Sequence, residues 1–141
     1  EIDAIFDTYE IGAYTFMLLS LLYPNLKYSQ KGFHQDHMHP YAGFEESKIA
    51  NLKLPDGSII DDVRKDEWRR RRNTLANLQL LEGRENERKN ATPLVDWIEV
   101  TANSENAKYM PSDSSFELSH FEDFMDKRQK LMSDALKAIL L

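Results

Sequence analysis

The chain has 141 residues, a net charge of −6 and no cysteine. This length suits one domain with a real core, and the missing thiols exclude a disulfide framework and any zinc finger built on cysteine. The negative charge argues against a generic nucleic-acid coat, because non-specific affinity for DNA comes mostly from cationic contacts with phosphate. We expect a cytoplasmic protein.

The first predicted elements are two apolar helices. Apolar residues recur at helical spacing over residues 1–9, and a second helix over residues 13–23 is apolar nearly all round, so we expect it to be buried. The apolar run Ile11–Leu22 is shorter than the roughly 20 residues that a membrane span needs. No membrane partner is expected.

The middle of the chain predicts one strand and two helices. Residues 33–37 are a short strand, residues 44–52 a short helix, and residues 59–71 a longer helix that Ser58 caps. The apolar side of the longer helix is expected to hold Ile59, Ile60, Val63 and Trp68.

A second strand and a third group of helices follow. We predict a strand over Asn77–Leu81 that ends at Gly83, and a helix that opens near residues 85–90. Thr92 followed by Pro93 is typical of a helix start, with threonine at the cap and proline in the first turn.

The last helix is predicted from about residue 120 to the end of the chain. Ser119 and Glu122 have the spacing of a capping box. The apolar residues beyond them form one stripe at helical spacing.

A basic run lies between residues 64 and 72. The segment contains only two acidic residues, Asp66 and Glu67, and six cationic residues, namely Arg64, Lys65, Arg69, Arg70, Arg71 and Arg72. The run could form a basic patch on an acidic protein. It could equally be one solvated face of a helix.

The stretch Phe33–Pro40 carries three of the four histidines and places a carboxylate beside an imidazole, Asp36 and His37. Hydrolysis of a phosphodiester needs an activated water and charge neutralisation on the phosphate. A carboxylate can help to hold a hard divalent cation, and a histidine near its ordinary pKa suits a general base at pH 7.

Asn77, Asn86, Lys89 and Asn90 offer complementary groups. Asn86 and Lys89 are three residues apart and share a face on a helix. An amide oxygen can bind a metal and an ammonium can meet a phosphate. Taken singly, such asparagines are more often caps or turn residues, and such a lysine a solvated charge.

The order Asp-His-x-x-Pro, then Asn-Leu, then Asn-x-x-Lys resembles the HNH (ββα-metal) nucleases. The resemblance implies Asp36 and Asn86 as ligands of a divalent metal, Mg²⁺ or Mn²⁺. It implies His37 as general base, Asn77 as the residue that braces the loop and orients His37, and Lys89 near the phosphate. His39, Asn90 and the arginines Arg69, Arg70, Arg71 and Arg72 are further candidates for contacts with phosphate or DNA.

A narrower resemblance, to the C-terminal nuclease domain of Gmr-type modification-dependent restriction enzymes, covers most of the chain. It rests on the segments Leu18–Pro24, Phe33–His37 and Ala76–Leu81, on Trp97, and on Phe121, Phe124 and Arg128. It implies DNA as the substrate, a role in phage defence, and a ParB-like NTPase domain preceding this one in a longer protein. Cutting both strands with one such site implies a homodimer or two events.

The resulting fold is α+β and mostly helical, with two short antiparallel strands of a ββα-metal element surrounded by helices. We expect one HNH-type domain over residues 1–141, with N-terminal helices in 1–24, the ββα core in about 33–100, a helical insertion in 44–72 and the last helix in about 120–141. Two other functions stay open, an inactive helical interaction module on the same scaffold and an RNA-cleaving nuclease. His34 receives no role.

Overall fold

The structure, a computed structural model, describes all 141 residues. Seven α-helices surround one antiparallel pair of strands, which confirms the predicted α+β class. The helices are α1 (Ile2–Thr8), α2 (Ala13–Leu22), α3 (Glu46–Ile49), α4 (Asp62–Arg71), α5 (Gly83–Lys89), α6 (Leu94–Thr101) and α7 (Phe121–Leu140). The strands are β1 (Phe33–His37) and β2 (Leu78–Glu82). None of the helices combines the length and the hydropathy that crossing a bilayer requires.

The two strands pair from Phe33 opposite Glu82 to His37 opposite Leu78. Strand β2 begins one residue later than predicted, because residues 75–77 form a short 3₁₀ turn before it. Strand β2 runs directly into α5. The order strand, strand, helix is therefore the one predicted around the candidate site.

The insertion between the strands holds a 3₁₀ turn (Tyr41–Phe44), α3 and α4. Helix α3 is shorter than the predicted helix over residues 44–52. The prediction that Ser58 caps α4 is wrong. The Asp61 side chain is the cap, and it accepts a hydrogen bond from the Arg64 amide at 2.8 Å.

The predicted apolar side of α4 is only half right. Ile60 and Trp68 are buried, but Ile59 is 60% exposed and Val63 is 78% exposed. Helix α4 starts after Ile59, so the 3.6-residue period does not place both of these side chains toward the core.

Helix α2 is not buried all round. Leu18, Leu19 and Leu22 lie in the core, whereas Tyr14 and Met17 on the other side are more than 40% exposed. An apolar sequence therefore indicated burial where the fold covers only one side of the helix.

The two predicted caps near the C-terminus are also wrong. Pro93, not Thr92, is the N-cap of α6, and no side chain bonds there. A 3₁₀ turn over residues 118–120 precedes α7, and neither Ser119 nor Glu122 caps it. The Glu122 carboxylate pairs with Arg64 of α4 instead, so a tertiary ion pair replaces the local capping bond.

The core is one cluster of 21 buried apolar residues drawn from every part of the chain. Helix α7 contributes one continuous stripe, which confirms most of the predicted apolar face. Its buried apolar members are Phe121, Phe124, Met125, Met132 and Leu136. Leu131 and Ile139, also predicted on that face, are exposed.

Arg128 of α7 is fully buried and no carboxylate pairs with it. Its Nη1 donates to the carbonyl oxygens of Ala76 and Leu78, each at 2.8 Å. Its Nη2 donates to the Tyr23 hydroxyl at 2.7 Å. One guanidinium thereby joins α7, the end of α2 and the start of β2.

Replacing Arg128 with methionine should lower the free energy of unfolding by about 3 kcal/mol, since three buried acceptors lose their donor. Urea denaturation measures the change. The matched control is Lys130→Met on the same helix, whose exposed ion pair with Asp134 should be worth at most about 1 kcal/mol. Equal effects of the two substitutions would contradict the anchoring role of Arg128.

Candidate functional site

The predicted site residues Asp36 and His37 both line one pocket at the end of β1. The pocket has a volume of about 230 Å³ and is open to solvent; it is lined by Asp36, His37, Pro40, Tyr41, Ala42, Asn90 and Ala91. Neighbouring residues in a strand point to opposite faces. Asp36 and His37 can nevertheless line the same pocket, because β1 ends at His37 and the chain turns at Pro40.

The ring of His37 is held by Asn73, a residue that the sequence did not single out. His37 Nε2 lies 2.8 Å from Asn73 Oδ1. An amide oxygen only accepts hydrogen bonds, so Nε2 carries the proton in the neutral ring. The lone pair is then on Nδ1, which is the nitrogen left to act as a base.

Burial lowers the pKa of His37 below its usual range. The hydrogen bond to Asn73 and the negative charge of Asp36 oppose that shift. The imidazole is therefore neutral at pH 7, which is the form that can accept a proton.

Asp36 is nearly buried, and its Oδ2 is well satisfied. It accepts a hydrogen bond from Gln79 Nε2 at 3.0 Å and lies 3.2 Å from Lys89 Nζ. Oδ1 receives no hydrogen bond from the protein. Burial raises the pKa of Asp36, and the charge of Lys89 acts in the opposite direction.

Gln79 was also missed, although the sequence carried a signal for it. It is the one polar residue in the run Leu78–Leu81, and it stands opposite Asp36 in the strand pairing. A buried polar residue in an apolar strand needs a partner. The Asp36 carboxylate is that partner.

The structure places Lys89 inside the protein, not on the surface where a phosphate would bind. Its side chain is fully buried, and Nζ donates to the His37 carbonyl at 2.8 Å besides contacting Asp36. Burial lowers the pKa of Lys89, and the Asp36 carboxylate opposes the shift. Lys89 thus fastens the end of α5 to the end of β1. A fully buried ammonium does not bind a phosphate directly, and the position of Lys89 near the phosphate stays a prediction.

Asn77 braces the loop after β1, as predicted, but its side chain forms no hydrogen bond with the His37 ring. Its Oδ1 accepts from the His39 amide at 2.9 Å, and its Nδ2 donates to the carbonyls of His39 and Arg72 at 3.1 and 2.9 Å. Asn73, not Asn77, forms the hydrogen bond that orients the His37 ring. The single predicted role is divided between two asparagines.

Asn86 and Asn90 belong to α5 and its C-terminus. Asn86 is half-buried, its side chain forms no hydrogen bond, and it shares a helix face with Lys89 one turn later. Asn90 is the C-cap, with φ of 45°, and lines the pocket. Its main-chain amide donates to the Asn86 main-chain carbonyl at 3.0 Å, so Asn90 has a structural role at the end of α5 whether or not it meets DNA.

The residues fit a hard divalent cation by their chemistry. Asp36 Oδ1 and the Asn86 amide oxygen accept no hydrogen bond from the protein, and carboxylate and amide oxygens are ligands that such a cation prefers. Helix α5 packs against β1, but Asn86 is not among the residues that line the pocket beside Asp36. A cation here would keep several waters, which is the habit of Mg²⁺.

His39 is buried beneath a second pocket, and its Nε2 is enclosed without a hydrogen-bond partner. It is 2% exposed, and its ring packs edge-on against Phe121 and Phe124 at centroid distances of 5.5 and 4.9 Å. Burial lowers its pKa to about 3. A neutral, enclosed imidazole does not match the predicted contact with phosphate.

Most of the basic run is neutralised by ion pairs. Arg64 pairs with Glu122, Lys65 and Arg69 with Glu46, Arg70 with Glu67, and Arg71 with Asp126. Arg72 has no acidic partner. Its guanidinium lies 3.5 Å from the centre of the Tyr41 ring, beside the pocket.

The burial of His39 predicts acid sensitivity. Its pKa is about 6.5 in an unfolded chain and about 3 in the folded protein. The unfolded chain therefore binds the extra proton first, and stability falls as the pH drops from about 6.5 toward 3. His39 alone should cost about 2 kcal/mol between pH 6.5 and pH 4.5.

His39→Phe should remove that part of the acid sensitivity, as measured by urea denaturation across the pH range. His34→Gln is the matched control, because His34 is exposed on β1. A pH dependence unchanged in His39→Phe would show that the buried imidazole is not the cause.

The chain matches no protein-family model and no curated protein.

Proposed function

We propose that the chain is a metal-dependent endonuclease domain that hydrolyses phosphodiester bonds in DNA. The observation that carries the proposal is the pocket at the end of β1. There an imidazole with its Nε2 fixed by Asn73 lies beside a carboxylate that has one unpartnered oxygen.

The general base in this proposal is His37. Its Nδ1 takes a proton from a water molecule in the pocket while the water oxygen attacks phosphorus. The bond between phosphorus and the leaving ester oxygen breaks, and that oxygen takes up a proton from solvent. The hydrogen bond from Nε2 to Asn73 keeps the ring in the required tautomer and orientation. Proton transfer by a positioned side chain typically contributes about 10²- to 10⁴-fold to a rate.

Asp36 and Asn86 are the residues that would hold the divalent cation, Mg²⁺ or Mn²⁺. Such a cation supplies charge neutralisation on the phosphate and help for the leaving oxygen. Gln79 and Lys89 fix the other oxygen of Asp36, so the free oxygen is held in one direction.

The resemblance extends the proposal to the wider setting. It favours DNA, a cytoplasmic restriction system directed at phage, a ParB-like NTPase domain in the same protein, and a homodimer for cutting both strands. Neither the proposed cation nor the proposed base recognises the 2′-hydroxyl group that distinguishes RNA from DNA, so an RNA-cleaving nuclease stays an alternative. Digestion of DNA and RNA side by side would distinguish the two substrates.

The purified protein should nick supercoiled plasmid in Mg²⁺ or Mn²⁺ and not in EDTA. His37→Ala and Asp36→Ala should each lower the rate on the order of 10²-fold or more. His34→Ala, three residues before His37 on the same strand, should retain the parent rate. Equal cutting by the parent and His37→Ala would show that His37 is not the base.

A second candidate function is favoured by the Lys89 contact. A buried ammonium on Asp36 already gives the carboxylate a counter-charge, as in a structural ion pair. In this reading the chain is a non-catalytic interaction module that keeps the nuclease scaffold. The lysine then stands in place of the metal.

Metal-dependent thermal stability separates the two functions. If Asp36 binds a cation, Mn²⁺ at about 100 times its Kd should add about 2.7 kcal/mol of stability and raise the Tm. Asp36→Asn should abolish the increase. Asp66→Asn, at an exposed carboxylate on α4, should leave it intact. An identical Tm with and without metal in the parent would favour the interaction module.

A further inference from the structure

Arg72 differs from every other cation of the basic run because it has no acidic partner. The other five are held by carboxylates at the protein surface. Arg72 is half-buried, its Nε is buried without a hydrogen-bond partner, and its guanidinium forms no ion pair. A cation kept in this way has its positive charge available for an incoming anion.

The position of Arg72 is fixed at three points. Its carbonyl accepts from Asn77 Nδ2 at 2.9 Å, and its amide donates to the Trp68 carbonyl at 2.9 Å. Its guanidinium stacks on Tyr41 at 3.5 Å. A stacked, planar guanidinium loses little freedom when it binds.

Tyr41 connects Arg72 to the pocket. The Tyr41 ring lines the pocket and packs against the His37 ring with 5.7 Å between centroids. The residue after Arg72 is Asn73, which holds His37. The guanidinium therefore lies next to the proposed base and not at the far end of the basic run.

We infer that Arg72, presented on the ring of Tyr41, binds a backbone phosphate of DNA beside His37, and that Arg69, Arg70 and Arg71 are mainly structural. The inference deepens the proposed function and rests on it for the identity of the anion as DNA. Guanidinium donors match two oxygens of a phosphate in a bidentate geometry. No ion pair has to be broken first, unlike at the three preceding arginines.

The test is binding of a fluorescent DNA duplex in EDTA, where no metal-dependent cutting takes place. Arg72→Ala should weaken binding about tenfold at moderate salt and reduce the slope of log K against log salt by about 0.9, the value for one lost phosphate contact. Arg72→Lys should fall between Arg72→Ala and the parent, because it keeps the charge and loses the planar donor pair.

Arg64→Ala is the matched control. It removes the same charge from the other end of α4, at an arginine already paired with Glu122. A merely global effect of charge would weaken binding equally in both variants and would overturn the inference. A smaller effect in Arg64→Ala supports it.

A melting curve for each variant checks that the fold is intact. If Arg72→Ala does not fold, Tyr41→Leu takes its place, since Tyr41 is 55% exposed. It should weaken binding severalfold and leave the salt slope unchanged, because every charge is still present. Unchanged binding in Tyr41→Leu would overturn the stacking role.

The outcome is independent of the cleavage assay. DNA binding that depends on Arg72 without any nicking would contradict the nuclease and support the phosphate site. Nicking by the parent, together with unaltered DNA binding in Arg72→Ala, would support the nuclease and overturn the phosphate site. A parent protein that fails to bind duplex DNA at low salt would overturn the phosphate site.

Discussion

The side chain of Asn77 is the constraint on which the candidate site depends. It is fully buried and joins the loop after β1 to the end of α4, through the backbone of His39 and the carbonyl of Arg72. The main-chain carbonyl of Asn77 accepts a hydrogen bond from the Met38 amide at 2.7 Å. These bonds set where β1 stops and bring Asn73 to the His37 ring. The Asn77 side-chain amide thus joins the loop after β1 to the residue that follows α4.

The interior around the site is more positive than the net charge of −6 suggests. Lys89 approaches the end of β1 from α5, and Arg128 approaches the start of β2 from α7. Lys89 donates to the carbonyl of His37, and Arg128 donates to the carbonyl of Leu78, the residue paired with His37. Lys89 has the Asp36 carboxylate as a partner and Arg128 has no carboxylate. The net positive charge of these buried groups favours a nearby anion, because charges interact strongly where water is excluded. An acidic protein can thus present a local site suited to phosphate.

The sequence predicted the strands, their order and the pocket residues Asp36 and His37, because alternation, turn signals and adjacent polar residues are local. It did not predict Asn73 as the partner of His37, since 36 positions separate them and no periodicity relates them. The sequence also did not predict that Lys89 is buried, because the Asp36 carboxylate and the His37 carbonyl that bind its ammonium are more than 50 positions away. The failed capping box has a similar cause: Glu122 is taken by an arginine of another helix.

We propose that His37 is the base and that Asn73 acts through it. The most direct test is a double-mutant cycle on the single-turnover rate of duplex cleavage, with His37→Ala, Asn73→Ala and the double variant. We predict that Asn73→Ala slows the parent about tenfold but has no further effect once His37 is removed, because the two residues act as a unit. Equal loss from Asn73→Ala in both backgrounds, or an undiminished rate in His37→Ala, would contradict the account.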